Sequence, residues 1–197
     1  MVMLKLKESL ELLKKYGIPV VETLVASNEE EVLKAAEKIG YPVVVKPNVS
    51  EHKSEIGVFL DVKSDEELLK CYKNLGGEVV VQKMIRGFEI FLGAKEDKFF
   101  GKYVALGCGG VLVELFEDVS FRVLPLRRRD VLEMVEETKL SKVARGFRSY
   151  KLDVESLVEV VLRFSELIEK ENVKEADVNP LIANENGVFA VDARIIL

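Results

Sequence analysis

Asn179 and Asp192 are the two side chains in this 197-residue sequence whose spacing points most directly to chemistry. Both fall in β-rich stretches, residues 176–183 and 188–195, joined by Asn184-Glu185-Asn186-Gly187, which reads as a hairpin turn. If Glu185 and Asn186 are the turn residues, Asn179 stands directly opposite Asp192; if Asn186 and Gly187 are, Asp192 faces Leu181, one step along the same face. Either register sets an amide oxygen beside a carboxylate. Two hard oxygen donors suit Mg²⁺, which takes one or two protein ligands and completes its octahedron with water and phosphate oxygens. A polar surface pair on an ordinary hairpin is the plainer alternative.

Three other features carry chemical potential. Lys46 ends a run of apolar residues and precedes Pro47, so its ammonium is expected to emerge where a strand leaves the core, as a point charge able to hold a phosphate or simply as a solvated strand end. Gly107-Cys108-Gly109-Gly110 interrupts two strands, and paired glycines let a backbone approach an anion with exposed N–H groups; a tight turn explains them equally. Neither a GxGxxG nor a GxxxxGK[ST] pattern is present. His52 is the sole histidine, in a polar loop, and an imidazole is able to accept and pass on a phosphoryl group near neutral pH.

The elements that must position these residues alternate helix and strand at first. Residues 6–16 have helical spacing, 18–25 are β-rich, and Ser27 with Glu30 forms a capping-box pattern opening a helix that stops at Gly40. Residues 41–46 and 57–62 read as strands around the loop 48–55, and Ser64 with Glu67 opens a third helix running to about Asn74. Consecutive strands follow over 79–84, 88–94, 102–106, 111–116 and 120–124, an antiparallel meander by pattern. Helices are expected over 130–140 and 153–170, then the closing hairpin. The result is an α+β protein of two lobes, residues 1–84 and 85–197, hinged near 82–87, with a cleft between them for a small ligand.

Composition narrows the chemistry. With 29 basic against 34 acidic residues, net charge −5 and one histidine, a histidine-rich zinc centre is excluded and a nucleic-acid surface disfavoured. The one basic run, Arg127-Arg128-Arg129, reads as a solvated helix entrance. Cys71 and Cys108 are too far apart in sequence and context to suggest a disulfide framework. No apolar stretch approaches the roughly 18–20 residues of a membrane span, and no signal peptide is visible, so a cytoplasmic protein without membrane or nucleic-acid partners is expected.

Taken in order, these segments resemble the ATP-grasp β subunit of the NDP-forming acyl-CoA synthetases, the group containing ADP-forming acetyl-CoA synthetase and related to succinyl-CoA synthetase. The general ATP-grasp likeness lies in Lys15-Tyr16-Gly17-Ile18-Pro19-Val20 and Gly40-Tyr41-Pro42-Val43-Val44-Val45-Lys46. More diagnostic are His52-Lys53-Ser54, Gly109-Gly110-Val111, Asp118-Val119-Ser120-Phe121-Arg122-Val123, Asp177-Val178-Asn179-Pro180-Leu181 and Val191-Asp192-Ala193-Arg194. The resemblance implies an ATP-grasp fold of two lobes with a nucleotide cleft. It implies that Lys46 contacts nucleotide phosphates, that Gln82, Lys83, Met84 and Ile85 run along the adenine, and that Glu89 lies near the nucleotide with Gly109 and Gly110. Asn179 and Asp192 would hold Mg²⁺, and His52 would be a phosphohistidine relaying phosphate between ADP or ATP and a separate CoA-binding α subunit. The implied reaction is acyl-CoA + ADP + phosphate ⇌ acid + ATP + CoA. A divergent noncatalytic nucleotide-binding or assembly module is the alternative.

Overall fold

The computed structural model describes residues 2–49, 57–110, 118–148, 150 and 152–197. The histidine loop and the strand expected over 111–116 lie outside the described residues. The chain divides into two compact units, one of residues 5–8 and 21–85, the other of residues 1–4, 9–20 and 86–197. The division at Ile85 and Arg86 falls one residue from the sequence boundary, but residues 9–20, placed by the sequence in the first lobe, group with the larger unit. Their contacts explain this: Pro19 accepts from the Ala190 N–H at 2.8 Å, and Lys15 and Tyr16 both reach Glu171, at 2.7 and 2.9 Å.

In the smaller unit, strands β1 (Thr23–Ala26), β2 (Val43–Pro47), β3 (Phe59–Val62) and β4 (Val79–Lys83) form an antiparallel sheet ordered β1-β4-β2-β3. Helices α2 (Glu29–Ile39) and α3 (Asp65–Leu75) bury Val32, Ala35, Ala36, Leu68 and Cys71 against Ala26, Val43, Val45, Val79 and Val81. Ser64 caps α3 as the sequence suggested, accepting from the Glu67 N–H at 3.3 Å. The cap of α2 sits one residue later than expected: Asn28 accepts from the Glu31 N–H, and Glu31 in turn accepts from the Ser27 N–H. The expected meander also loses its first strand. Val79, Val80 and Val81 are all 0% exposed because β4 is central here, between β1 and β2, rather than the opening of the second sheet.

Residues 9–15 of α1 (Leu6–Lys15) belong to the larger unit. Its sheet runs β10-β8-β5-β6-β7, with β9 also on β8: β5 (Phe88–Asp97), β6 (Gly101–Cys108), β7 (Val119–Val123), β8 (Glu175–Asn184), β9 (Gly187–Ala190) and β10 (Arg194–Ile196). Leu92, Val104, Leu106 and Val178 are at most 1% exposed on the face where α4 (Arg128–Glu137) and α6 (Val154–Lys170) pack against β6. α6 presents Leu157, Val161, Phe164 and Ile168 at helical spacing, all buried, and Asp153 caps it by accepting from Glu155 and Ser156. The helix expected over 130–140 is two: α4 starts early because Asp130 accepts from the Arg127 N–H, and α5 (Leu140–Ala144) resumes after Thr138 turns its hydroxyl back onto the Met134 carbonyl. The basic run is ion-paired, Arg128 to Glu155 and Arg129 to Glu133 at 3.4 Å.

Edge strand β7 is tied to α4 by one fork. Arg122 donates to both oxygens of Glu137 at 2.6 and 3.0 Å, and Ser120 Oγ donates at 2.5 Å. The Arg122 guanidinium, then the Ser120 hydroxyl, hold the Glu137 carboxyl down to about 2 from an ordinary 4.5. A depressed carboxyl stabilises the fold fully above its unfolded value, and that contribution disappears as pH falls through the folded one. Glu137→Gln should therefore cost more stability at pH 6 than at pH 3, measured by urea melts. A difference independent of pH would show that the fork carries no net ionic contribution; Glu137 is half exposed, so a small effect is expected.

Candidate active site

The hairpin register is settled by two flanking ladders. β9 pairs Asn184 with Gly187 and Leu181 with Ala190, while β10 pairs Asp177 with Arg194 and Glu175 with Ile196. Both ladders share one register, so Glu185 and Asn186 form the turn and Asn179 lies opposite Asp192. The second strand is broken over residues 191–193, where Val191 donates weakly to the Pro180 carbonyl at 3.4 Å. On its other edge β8 bulges. Ile90 faces Leu181 but Leu92 faces Val178, so Phe91 opposes both Asn179 and Pro180, whose peptide bond is cis. A bulge of this kind re-aims a side chain out of the regular pleat.

Asn179 is aimed at the glycine loop. Its Oδ1 accepts from the Gly110 N–H at 3.0 Å, while the Gly109 N–H donates to the Glu89 carbonyl at 2.8 Å. Both glycines are there for close approach: a Cβ on Gly109 would sit 2.5 Å from the Ile90 carbonyl carbon, and Gly110 has φ +81° with Glu89 Oε2 at 2.0 Å from a Cβ position. The expectation of amides exposed to an anion is corrected here, because both N–H groups are spent on protein acceptors. Five of the residues singled out in the sequence, Glu89, Gly109, Gly110, Asn179 and Asp192, thus gather at one end of the large sheet. Beside them, burial and then a hydrogen bond to Asp118 push the Cys108 thiol up to about 12, which makes it a poor nucleophile.

An amide oxygen has two lone pairs, so Asn179 retains one for a cation after accepting from Gly110. With the Asp192 carboxylate opposite, the donor set fits a hard ion that takes few protein ligands. Among the described residues no group of three or more His, Cys, Asp or Glu side chains is arranged to hold a metal.

The remaining described candidates lie in the smaller unit. Lys46 is 5% exposed, a correction to the expected solvated strand end: β2 continues to Pro47, paired with Val79, so Lys46 lies inside a strand opposite Val80. Gln82 is 1% exposed and donates to Thr23 Oγ1 at 2.9 Å, and that hydroxyl donates to the Val21 carbonyl. Lys83 is exposed, with its N–H on the Glu22 carbonyl at 3.0 Å; Met84 and Ile85 are half-buried. Arg194, two residues beyond Asp192, pairs with Asp177 across β10 and β8.

Residues 2–197 match the ATP-grasp domain model. The chain belongs to the ATP-grasp family. Within it, this ATP-grasp chain is 40% identical to acetate–CoA ligase [ADP-forming] I subunit beta of Pyrococcus furiosus, over 96% of its own length and 90% of that subunit. It is 41% identical to acetate–CoA ligase [ADP-forming] II of Archaeoglobus fulgidus, where it covers 96% of its own length but spans 30% of that protein. The dinucleotide-forming acetyl-coenzyme A synthetase 1 of Ca. Korarchaeum cryptofilum, in complex with coenzyme A and Ca-AMPCP, superposes with a TM-score of 0.91 at 37% identity, over 99% of this chain and 93% of that one. The same synthetase with Mg-AMPPCP, matched at TM-score 0.83 and 38% identity over 98% of this chain and 91% of that one, has its phosphohistidine segment pointing towards the nucleotide-binding site. The homologues are thus ADP-forming acyl-CoA synthetases and their β subunits, as the sequence resemblance implied, and the α+β ATP-grasp fold is theirs. No helix among the described residues is long and apolar enough to cross a membrane.

Proposed function

We propose that this chain is the nucleotide-binding subunit of an ADP-forming acyl-CoA synthetase, moving a phosphoryl group between His52 and ADP or ATP. The observation that carries the reading is the hairpin register that sets Asn179 opposite Asp192, beside Glu89 and the glycine loop, on a chain 40% identical to a subunit of that name. Asn179 and Asp192 would hold Mg²⁺, which when bound offsets phosphate charge. Lys46 adds a second positive charge for the nucleotide phosphates, and residues 82–85 accompany the adenine. In the ATP-forming direction a nucleotide oxygen of ADP attacks the phosphohistidine phosphorus, the N–P bond breaks, and His52 recovers the electron pair as neutral imidazole. Positioning and charge neutralisation do most of the work in such a transfer. The CoA chemistry would belong to a partner subunit.

Incubation with γ-labelled ATP and Mg²⁺, together with a CoA-binding partner subunit, tests this. Label that is acid-labile, base-stable and absent from His52→Ala is the expected result. A wild-type chain that binds nucleotide yet takes no label with the partner present would instead be the noncatalytic module, and the relay would be refuted.

A further inference from the structure

β10 places Arg194 two residues beyond Asp192 and directly across from Asp177, itself two residues before Asn179. Alternation along the strands puts Asp177 and Arg194 on the sheet face opposite the helix-covered one. Ala176 and Ile195, their neighbours on the covered face, are 2% and 0% exposed.

The Arg194 guanidinium is poorly satisfied in this position. Its Nη2 lies 3.6 Å from Glu175 Oε1, too far for a hydrogen bond, and among the described residues its Nε is buried without a hydrogen-bond partner. Arg122 and Arg128, by contrast, close on glutamates at 2.6 and 2.5 Å. A buried donor without an acceptor has lost its water for nothing in return, so the present pose is easily abandoned. The side chain is still 30% exposed, which leaves it room to turn. Its Nε and Nη2 form the planar fork that matches two oxygens of one phosphoryl group. A cation is also needed here, because Glu175, Asp177 and Asp192 would otherwise repel a phosphate.

We propose that Arg194 is a phosphoryl-binding residue, which leaves Glu175 and closes its fork on an oxyanion brought to the Asn179–Asp192 pair. This rests on the assignment of that pair to a nucleotide-phosphate site. Two sources offer the same oxyanion: the terminal phosphate of the nucleotide and the phosphoryl group on His52.

Calorimetric titration of the full chain with ADP and with AMP, each with Mg²⁺, decides the matter, alongside His52 labelling in the presence of the partner subunit. Arg194→Gln should weaken ADP about tenfold or more and leave AMP unchanged, the loss expected of a charge-assisted fork. Arg194→Lys, which keeps the charge without the fork, should fall between, and it carries the test if the glutamine variant does not fold. ADP binding retained with labelling reduced about tenfold would identify the phosphohistidine as the source. Unaltered ADP binding and labelling would overturn the proposal, and so would equal losses for ADP and AMP, which mark a structural role. A wild-type chain that binds no ADP would instead refute the nucleotide reading beneath it.

Discussion

Asp192→Ala should abolish Mg²⁺-dependent nucleotide binding while leaving the fold intact. The variant removes the one carboxylate that the hairpin register sets opposite Asn179, and an amide oxygen alone is a weak site for a doubly charged ion. Changing even an outer partner of a metal ligand typically costs 10–100-fold in affinity, so loss of a ligand should cost on the order of 100-fold or more. Asp192 is half-buried in the break between β9 and β10 and belongs to neither ladder, and a urea melt of both forms separates loss of stability from loss of metal binding. Titrating ATP with and without Mg²⁺ into both forms gives the comparison. Nucleotide affinity that remains Mg²⁺-dependent and undiminished in Asp192→Ala would remove this residue from the metal site.

How much of this was legible in the sequence differs from residue to residue. That Asn179 and Asp192 share one face of the hairpin was readable because both turns its sequence allows keep them there. The choice between two registers was not, since Asn184-Glu185-Asn186-Gly187 accommodates both turns; the decision came from β10, which resumes the same register beyond a break. The bulge at Asn179 and Pro180 was invisible because it exists only relative to β5, almost 90 residues earlier in the chain. Long-range pairing also explains the misplacement of β4, whose all-valine start fits any buried strand until its partners are known. Lys46 was misjudged for a related reason: a proline after a lysine looks like an exit from the core, yet here both remain in the ladder with β4. The capping residues, by contrast, act within one helical turn and were found to within a single position.

Gly109→Ala tests whether the glycine loop is part of the site or merely a turn. The new methyl would lie 2.5, 2.7 and 2.8 Å from the backbone carbon, nitrogen and oxygen of Ile90, and none of these can rotate away as a side-chain tip would. Ile90 is 0% exposed and paired to both Cys108 and Leu181, so β5 is held from two sides and the loop must move instead. Moving it stretches the Gly109 N–H to Glu89 carbonyl bond and the Gly110 N–H to Asn179 bond together. Overpacking of this kind costs about 1–3 kcal/mol, so a lowered but cooperative urea transition is expected. The functional loss should be larger than that cost suggests. A displacement near 1 Å at a positioned group can reduce turnover about 100-fold, and Asn179 would lose the contact that orients its oxygen. Gly76→Ala is the control: it sits at the end of α3 with φ +64° and nothing within 4 Å of a Cβ, so it too should lose stability, through backbone strain alone. If Gly109→Ala and Gly76→Ala lose stability alike and both retain full nucleotide affinity and His52 labelling, the loop is a turn and the site must be built without it. Loss of binding and labelling in Gly109→Ala alone would tie Gly109, Gly110 and Glu89 to the pair formed by Asn179 and Asp192.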